Sequence, residues 1–516
     1  MKERKVAGLL RSGAVVGAMT MISRVLGMVR DVMIASLLGA GGGADAFFVA
    51  FRIPNLLRRL FAEGAFNQAF VPVLSEYATK DDPRETRRLL DATAGSLAMV
   101  LTLITLVAVL LSPWLVWIFA PGFSSDAGKL ALTSDMLRIT FPYLLLISLT
   151  AFCSAVLNSW NRFAIPALTP VFLNLTMIAA VLWLSPRLEV PAMGLAWGVL
   201  AAGVIQLGFQ LPFLGRLGLL PRPKPDFSHP GVRRILKLMG PALFGVSVAQ
   251  INMLLNTILA SFLVTGSVSW LYYSDRLVEL PIGIFGVAIA TVILPALSRR
   301  HASQSTEHFS RMLDWALRMV LIISLPAALA IFLLAEPLLV TLFHYGAMTD
   351  HDIEMTARSL RALAFGVIAY MLIKVLAPGF YARQDTRTPV RIGVIAMAAN
   401  MAFNLVLVWP LAHAGLALAT ALAAYVNAGL LARGLLRQGV LVVQPGWRRF
   451  WLQVGGGCGL LGAGLWWLVP PLQQWLAWGV LERAGVMSAV IVASIAVYFA
   501  WLALTGMRLA HFRMRG

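Results

Sequence analysis

The chain has 516 residues, 59% of them hydrophobic and 13% charged, with a mean hydropathy of +0.80. A soluble globule of this length needs far more polar surface, so a water-soluble enzyme or binding domain is excluded. The net charge of +19 does not indicate nucleic-acid binding, because no soluble domain is present to carry a basic face.

The N-terminus carries Lys2, Arg4, Lys5 and Arg11, but the apolar stretch after it bears Arg24, Arg30 and Asp31 and leads into no cleavage-like end. It reads as an uncleaved first span. Apolar runs broken by Gly, Pro and charge place spans at 12–38, 44–76, 90–118, 132–159, 166–185, 192–214, 233–263, 268–298, 312–334, 355–381, 390–410, 414–436, 448–470 and 485–507. The fold expected is an all-α polytopic membrane protein of about fourteen transmembrane helices. Cys153 and Cys458 both fall inside spans and indicate neither a disulfide framework nor a metal site.

The first two spans hold Arg24, Arg30, Asp31, Asp45, Arg52, Arg58, Arg59 and Glu63, the last three just after Pro54. A cation at the bilayer centre costs about 2.5–3.5 kcal/mol on insertion scales, so charges at this density must pair or line a water-filled cavity. The eighth span adds Asp275, Arg276 and Glu279, and Lys374 sits within the tenth. Arginine is suited to phosphate, because its planar fork binds bidentately and stays charged at any relevant pH.

The last two spans contrast with these. No charge occurs from Phe450 to Leu481 or from Ala484 to Met507. Gly455, Gly456, Gly457 and Gly459 permit close helix approach, and Trp466, Trp467, Trp475 and Trp478 read as an interfacial belt. The pair serves as packing material or as an apolar wall to a cavity.

An even span count puts both termini on one side. Loops on that side collect Lys80, Arg84, Arg87, Arg88, Arg162, Arg216, Arg222, Lys224 and many more, whereas the opposite loops hold only Lys129, Arg187 and Arg483. Both termini are therefore expected to be cytoplasmic.

The chain also repeats. Ser112–Phe119 aligns with Glu336–Phe343 and Asp45–Arg52 with Ser269–Arg276, both at an offset of 224; Asn158–Pro166 aligns with Tyr381–Pro389 at 223, and the Gly-Leu-Ala of 194–196 with that of 415–417 at 221. Two six-helix halves of the same orientation are expected, organised as 1–220, 221–440 and a C-terminal pair in 441–516. Such lobes, packed around a central cationic cavity, suit a transporter that rocks about a site between them.

Met19-Thr-Met-Ile-Ser-Arg-Val-Leu-Gly-Met-Val-Arg-Asp31, the stretch Asp45–Phe66, Trp270–Leu277 and Lys374–Arg383 together resemble the MurJ/MviN family of bacterial lipid II flippases. The resemblance covers essentially the whole chain. It implies the fold of the multidrug/oligosaccharidyl-lipid/polysaccharide exporter superfamily, and movement of undecaprenyl-diphosphate-linked disaccharide pentapeptide from the inner to the outer leaflet by alternating access. It implies substrate contact at Arg24, Arg30 and Arg276, with Arg58 guiding or gating and Asp31, Asp45 and Glu63 helping to gate. Arg52 and Lys374 are added as substrate-binding candidates, and Asp275, Glu279 and Arg59 as gating candidates. The competing reading pairs the arginines structurally with Asp31, Asp275 and Glu279.

Asn252, Asn256, Asn400, Asn404 and Thr420 are expected to cluster in the second lobe, where some family members hold sodium. With no carboxylate beside these amides, interhelical hydrogen bonding is favoured here. No cofactor and no metal is expected, and no nucleotide-binding or catalytic motif occurs, so energy must come from an ion gradient or the membrane potential. The partners expected are lipid II and the membrane, with the chain acting as a monomer near other cell-wall synthesis proteins. Alternatives are a flippase for another polyprenyl-diphosphate glycan, or an integral-membrane glycosyltransferase, for which outer-loop carboxylates are too scattered. A multidrug antiporter would favour an acidic cavity.

Overall fold

The computed structural model describes residues 2–79, 82–283 and 306–507, side chains at 2–14, 61–63, 244–246, 248, 249 and 306 excepted. The described residues are mostly helical, and no strand occurs among them. They form two compact units, Met1–Ser269 and Trp270–Gly516.

The first unit contains α1 (Lys2–Leu38), α2 (Gly42–Leu57), a π-helical segment (Arg58–Phe66), α3 (Asn67–Thr79), α4 (Pro83–Leu110), α5 (Ser112–Phe119), α6 (Ala127–Thr140), α7 (Tyr143–Ser159), α8 (Ala164–Ala179), α9 (Pro191–Arg216) and α10 (Pro230–Ser261). Next comes α11 (Ser267–Pro281), most of which belongs to the second unit with α12 (Thr306–Leu333), α13 (Ala335–Phe343), α14 (Asp350–Tyr381), α15 (Arg387–Arg437), α16 (Trp447–Leu468), α17 (Leu472–Ala477) and α18 (Val480–Leu504).

Among the described residues, eight helical stretches are long and apolar enough to cross a membrane: Pro83–Leu110, Ala127–Ser159, Ala164–Arg187, Pro191–Arg216, Glu307–Leu333, Asp350–Tyr381, Arg387–Arg437 and Val480–Leu504. At 1.5 Å per residue, the 51 residues of α15 would reach roughly 76 Å, more than twice a bilayer core. A break at Ala412 (φ 48°, ψ −126°), just after Pro410, divides the run between the expected spans 390–410 and 414–436. Leu103, Leu106, Leu110 and Trp114 are all exposed, a density of apolar surface that suits lipid rather than water.

The repeat is visible in local geometry. Among the described residues three non-glycine residues have positive φ, and two of them, Asn161 and Gln384 (both φ 60°), occupy equivalent positions 223 apart. Leu111 (φ −95°, ψ 20°) and Leu334 (φ −93°, ψ 12°), also 223 apart, introduce the short helices α5 and α13. At Gly194 a Cβ would strike Ser185, and at its counterpart Gly415 it would strike the Leu407 carbonyl. Glycine therefore recurs in the repeat where a helix starts tight against the end of the previous one.

Helix starts carry their own caps. Asp82 accepts the amides of Arg84 and Glu85, with Pro83 at the first helical position, and Asp126 accepts that of Lys129. Thr349 and Asp352 form a capping box on α14. In the turns, hydrogen bonds from Ser228 hold the Asp226 carboxyl below its usual range, and those from Thr388 do the same for Asp385.

Phe66, Phe70, Phe152, Val156, Leu157 and Leu214 lie in the core of the first unit, with Phe66 stacked on Phe70 at 5.0 Å. In the second unit Leu321 and Ile322 of α12 pack on Phe450, Val454, Tyr498 and Leu502, and the Tyr498 hydroxyl donates to the Ile322 carbonyl at 2.9 Å. The C-terminal pair is thereby packed onto α12. Of its glycines, Gly456 and Gly457 face Trp501 and Tyr498, whereas Gly455 and Gly459 meet nothing within 4 Å. The 100° step of a helix puts only two of the four at the contact. Trp466 and Trp467 are exposed, but Trp475 departs from the expected belt: it is fully buried and donates to the Pro470 carbonyl at 3.1 Å.

Candidate functional site

On α1, Arg30 and Asp31 are both buried. Arg30 Nε and Nη2 lie 2.9 and 2.7 Å from Asp31 Oδ1, and Nη1 donates to Asn174 Oδ1 on α8 at 3.0 Å. Asn174 in turn donates to the Ser23 carbonyl at 2.8 Å, so one amide fastens α8 to α1 and orients the guanidinium. This is the paired arrangement the competing reading anticipated, and it fixes Arg30 in place.

Arg24 is different. Six residues earlier, about 9 Å along the helix at 1.5 Å per residue, it is half-buried and makes no hydrogen bond or ion pair among the described residues. An unpartnered guanidinium in a membrane helix requires water or an anionic ligand.

On α2, Phe47 and Phe51 stack at 5.7 Å with ring planes 6° apart. Arg52 beside them donates through Nη1 to Thr257 Oγ1 of α10 at 2.8 Å. Pro54 lacks the N–H that would normally reach the Ala50 carbonyl, and the Thr140 hydroxyl supplies that bond at 3.0 Å. The helix then widens into the π segment Arg58–Phe66, a form that often marks functional positions. Arg58 donates to Asn55 Oδ1 at 2.9 Å and lines a cavity of about 670 Å³, while Arg59 is exposed. The Glu63 side chain lies outside the described residues.

Asp45 is almost fully buried and has a full set of donors. Oδ1 accepts from the amide and hydroxyl of Ser269 at 3.0 and 2.6 Å, and Oδ2 from the Gly266 amide and Lys129 Nζ, both at 2.8 Å. The Lys129 ammonium is also 4.1 Å from the centroid of Phe123. One carboxylate thus ties α2 to α6 and to the start of α11.

On α11, Trp270 Nε1 donates to Asp352 Oδ1 at 3.0 Å and the Ser274 hydroxyl to the Thr356 carbonyl at 2.9 Å, so the 270/274 face is held against α14. The remaining face shows Asp275 and Glu279 exposed and Arg276 half-buried, with Arg276 Nη1 2.8 Å from Glu279 Oε2. Lys374 on α14 is exposed and unpaired among the described residues. Asn404 donates to Asn400 at 3.0 Å and Asn400 to Thr420 at 3.4 Å, whereas Asn252 and Asn256 lie on α10 in the first unit.

Sequence reasoning missed three partners: Asn174, Thr257 and Lys129 as the counter-ion of Asp45. Only Lys129 carried a signal, being one of few cations in the loops opposite the basic ones. The other two are single polar residues in apolar spans, whose partners are distant in sequence.

Residues 34–484 match the family model described as lipid II flippase MurJ. A probable lipid II flippase MurJ of Vibrio cholerae is 50% identical over 514 residues, covering 98% of each chain. The chain belongs to the lipid II flippase MurJ family. Another member, the lipid II flippase MurJ of Burkholderia cenocepacia, is 42% identical over 98% of this chain and 99% of its own. Among solved structures, a lipid II flippase MurJ in an inward closed conformation superposes with a TM-score of 0.81 at 24% identity, covering 95% of this chain and 98% of that one. An inward-facing multidrug transporter of the MATE family and MOP superfamily gives 0.68 at 15% identity, over 83% and 98%. Both share the fold, as the resemblance in the quoted stretches implied. Members of this family are transporters, not enzymes, and the chain is an integral inner-membrane protein.

Proposed function

We propose that the chain is a lipid II flippase that carries the lipid-linked peptidoglycan precursor from the inner to the outer leaflet by alternating access. The observation that carries this reading is 50% identity, over 98% of both chains, to a probable flippase of that substrate. The residues fit a diphosphate. Among the described residues Arg24 has no hydrogen-bond or ion-pair partner to compete for it, and each charge-assisted hydrogen bond to a phosphate oxygen contributes about 1.5–3 kcal/mol. Arg30, held by Asp31 and Asn174, offers an oriented second cation, with Arg276, Arg58, Arg52 and Lys374 as further contacts.

Asp45 gates the outer side by holding Ser269, Gly266 and Lys129, and substrate release requires that set of bonds to break. Asp31, Asp275, Glu279, Arg59 and Glu63 exchange partners as the site opens and closes. Loops rich in Lys and Arg put both termini in the cytoplasm. The chain works as a monomer and draws on the membrane potential or an ion gradient, one elementary charge through 100 mV supplying about 2.3 kcal/mol.

The test is leaflet exposure of lipid II in cells depleted of their own flippase and complemented with the wild type or Arg24→Ala at matched membrane expression. Restoration by the wild type alone supports the reading. Failure of the wild type refutes the substrate, and full activity of Arg24→Ala removes that arginine from the site.

A further inference from the structure

The cavity of about 670 Å³ that Arg58 borders lies wholly inside the first unit, among α3, α7, α8, α9 and the π segment. That size falls within the range of pockets that bind small ligands. Its largely apolar lining carries a set of hydroxyl and amide groups.

Ser75, Thr150 and Ser159, all in the lining, donate their hydroxyl hydrogens to carbonyls four residues earlier, those of Val71, Leu146 and Ala155, at 2.9, 2.8 and 2.9 Å. A hydroxyl whose proton is used in this way still offers acceptor lone pairs. Asn67, also in the lining, has a buried Oδ1 with no hydrogen-bond partner among the described residues. Deeper in, Gln206 is occupied by the Tyr143 hydroxyl at 3.3 Å and the Thr169 carbonyl at 3.1 Å, which fixes the pocket wall.

The cavity thus offers several hydroxyl and amide acceptors beside the amide donors of Asn67 and Asn158, and Arg58 is the only charged residue among its described lining. An ammonium would meet acceptors but no counter-ion. A carboxylate or phosphate could use the donors of Arg58 and the amide groups of Asn67 and Asn158, but would meet acceptors it cannot use along the hydroxyl-lined remainder. A neutral group with many donors fits, and hydroxyls and acetamido N–H groups of a sugar are such donors.

We infer that this cavity is the subsite for the carbohydrate of the lipid-linked headgroup, with Arg58 at the junction between sugar and diphosphate. Asn158 and Ser75 are exposed, and Asn158 lies four residues before Arg162 in one of the basic loops, so the mouth is on the side from which the substrate is loaded. This assignment rests on the flippase reading above and specifies which part of the headgroup the first unit holds.

The experiment uses the purified full chain in lipid nanodiscs and measures binding of three lipids: undecaprenyl diphosphate, the same lipid carrying the disaccharide without peptide, and lipid II. Wild type should bind both sugar-bearing lipids at least tenfold more tightly than undecaprenyl diphosphate. Ala151→Phe, which fills the cavity from α7, should abolish that tenfold difference and leave undecaprenyl diphosphate binding within twofold. Asn158→Leu at the exposed mouth should narrow the difference in the same sense without disturbing interior packing. If both variants keep the preference for sugar, or if the peptide-free lipid binds no better than undecaprenyl diphosphate, the carbohydrate subsite is refuted while the flippase reading survives. Failure of the wild type to bind any of the three lipids overturns both.

Discussion

Asp45 and Ser269, equivalent positions in the internal repeat 224 residues apart, are hydrogen-bonded to each other through both the amide and the hydroxyl of Ser269, at 3.0 and 2.6 Å. The same carboxylate faces Lys129 at 2.8 Å, and all three groups are shielded from solvent. Removing a buried charge that others rely on is costly. Asp45→Ala leaves an ammonium and two amides without their acceptor and should destabilise the protein by about 3–5 kcal/mol, whereas Ser269→Ala removes one hydroxyl bond and should cost about 1 kcal/mol. Thermal unfolding in nanodiscs checks the order, and equal losses would mean that the ion pair contributes nothing.

Arg24 and Arg30 should respond differently to truncation. Arg30→Ala removes the ion-pair partner of a buried Asp31 carboxylate, so both melting temperature and transport should fall. Arg24→Ala removes a side chain with no partner among the described residues, and should lower transport with little change in melting. A large drop in melting for Arg24→Ala would make that residue structural.

The Thr140 hydroxyl stands in for the N–H that Pro54 lacks. Thr140→Val should therefore cost about 1–2 kcal/mol in the wild type, as a buried carbonyl loses its donor. In a Pro54→Ala background the new amide can reach the Ala50 carbonyl, and the same substitution should cost much less. A double-mutant cycle by thermal melting reads the coupling, and additive effects would contradict the substitution of one donor for the other.

In the first turn of α18, Arg483 is buried and donates to four carbonyls, those of Trp475, Leu476, Val340 and His344, at 2.8, 2.9, 3.5 and 3.3 Å. It closes the carbonyl ends of the short helices α13 and α17 and ties α18 to both within the second unit. Arg483→Met keeps the length but no donor, and should lower melting by about 2–4 kcal/mol equivalent from unsatisfied carbonyls. Increased proteolysis between Val469 and Val480 would mark the local loosening.

Asp385, in the turn between α14 and α15, accepts the Thr388 amide at 3.0 Å and hydroxyl at 2.7 Å, which depresses its pKa. A depressed carboxylate stabilises the turn fully above its unfolded pKa, about 3.9, and loses that contribution as pH falls through the lower folded value. Thr388→Ala should flatten the dependence of melting on pH below about pH 4, and an unchanged profile would exclude Asp385 as a contributor.

The sequence determined this protein's class and its internal symmetry on its own. Hydropathy places apolar helices in lipid, and the repeat is carried by residues such as Gly194 and Gly415 whose backbone tolerates no Cβ. It also located the charges set in otherwise apolar helices, because residue types are read directly and their cost in lipid demands partners or water. Tertiary structure decided how those charges are used. Arg30 is oriented by Asn174, 144 residues away, Asp45 is neutralised by Lys129, 84 away, and Arg52 is bonded to Thr257, 205 away. It also decided which glycines of 455–459 meet α18 and that Trp475 turns inward. No local pattern encodes these choices, since a hydrogen bond depends on which helix face meets which, and packing among distant helices sets that geometry.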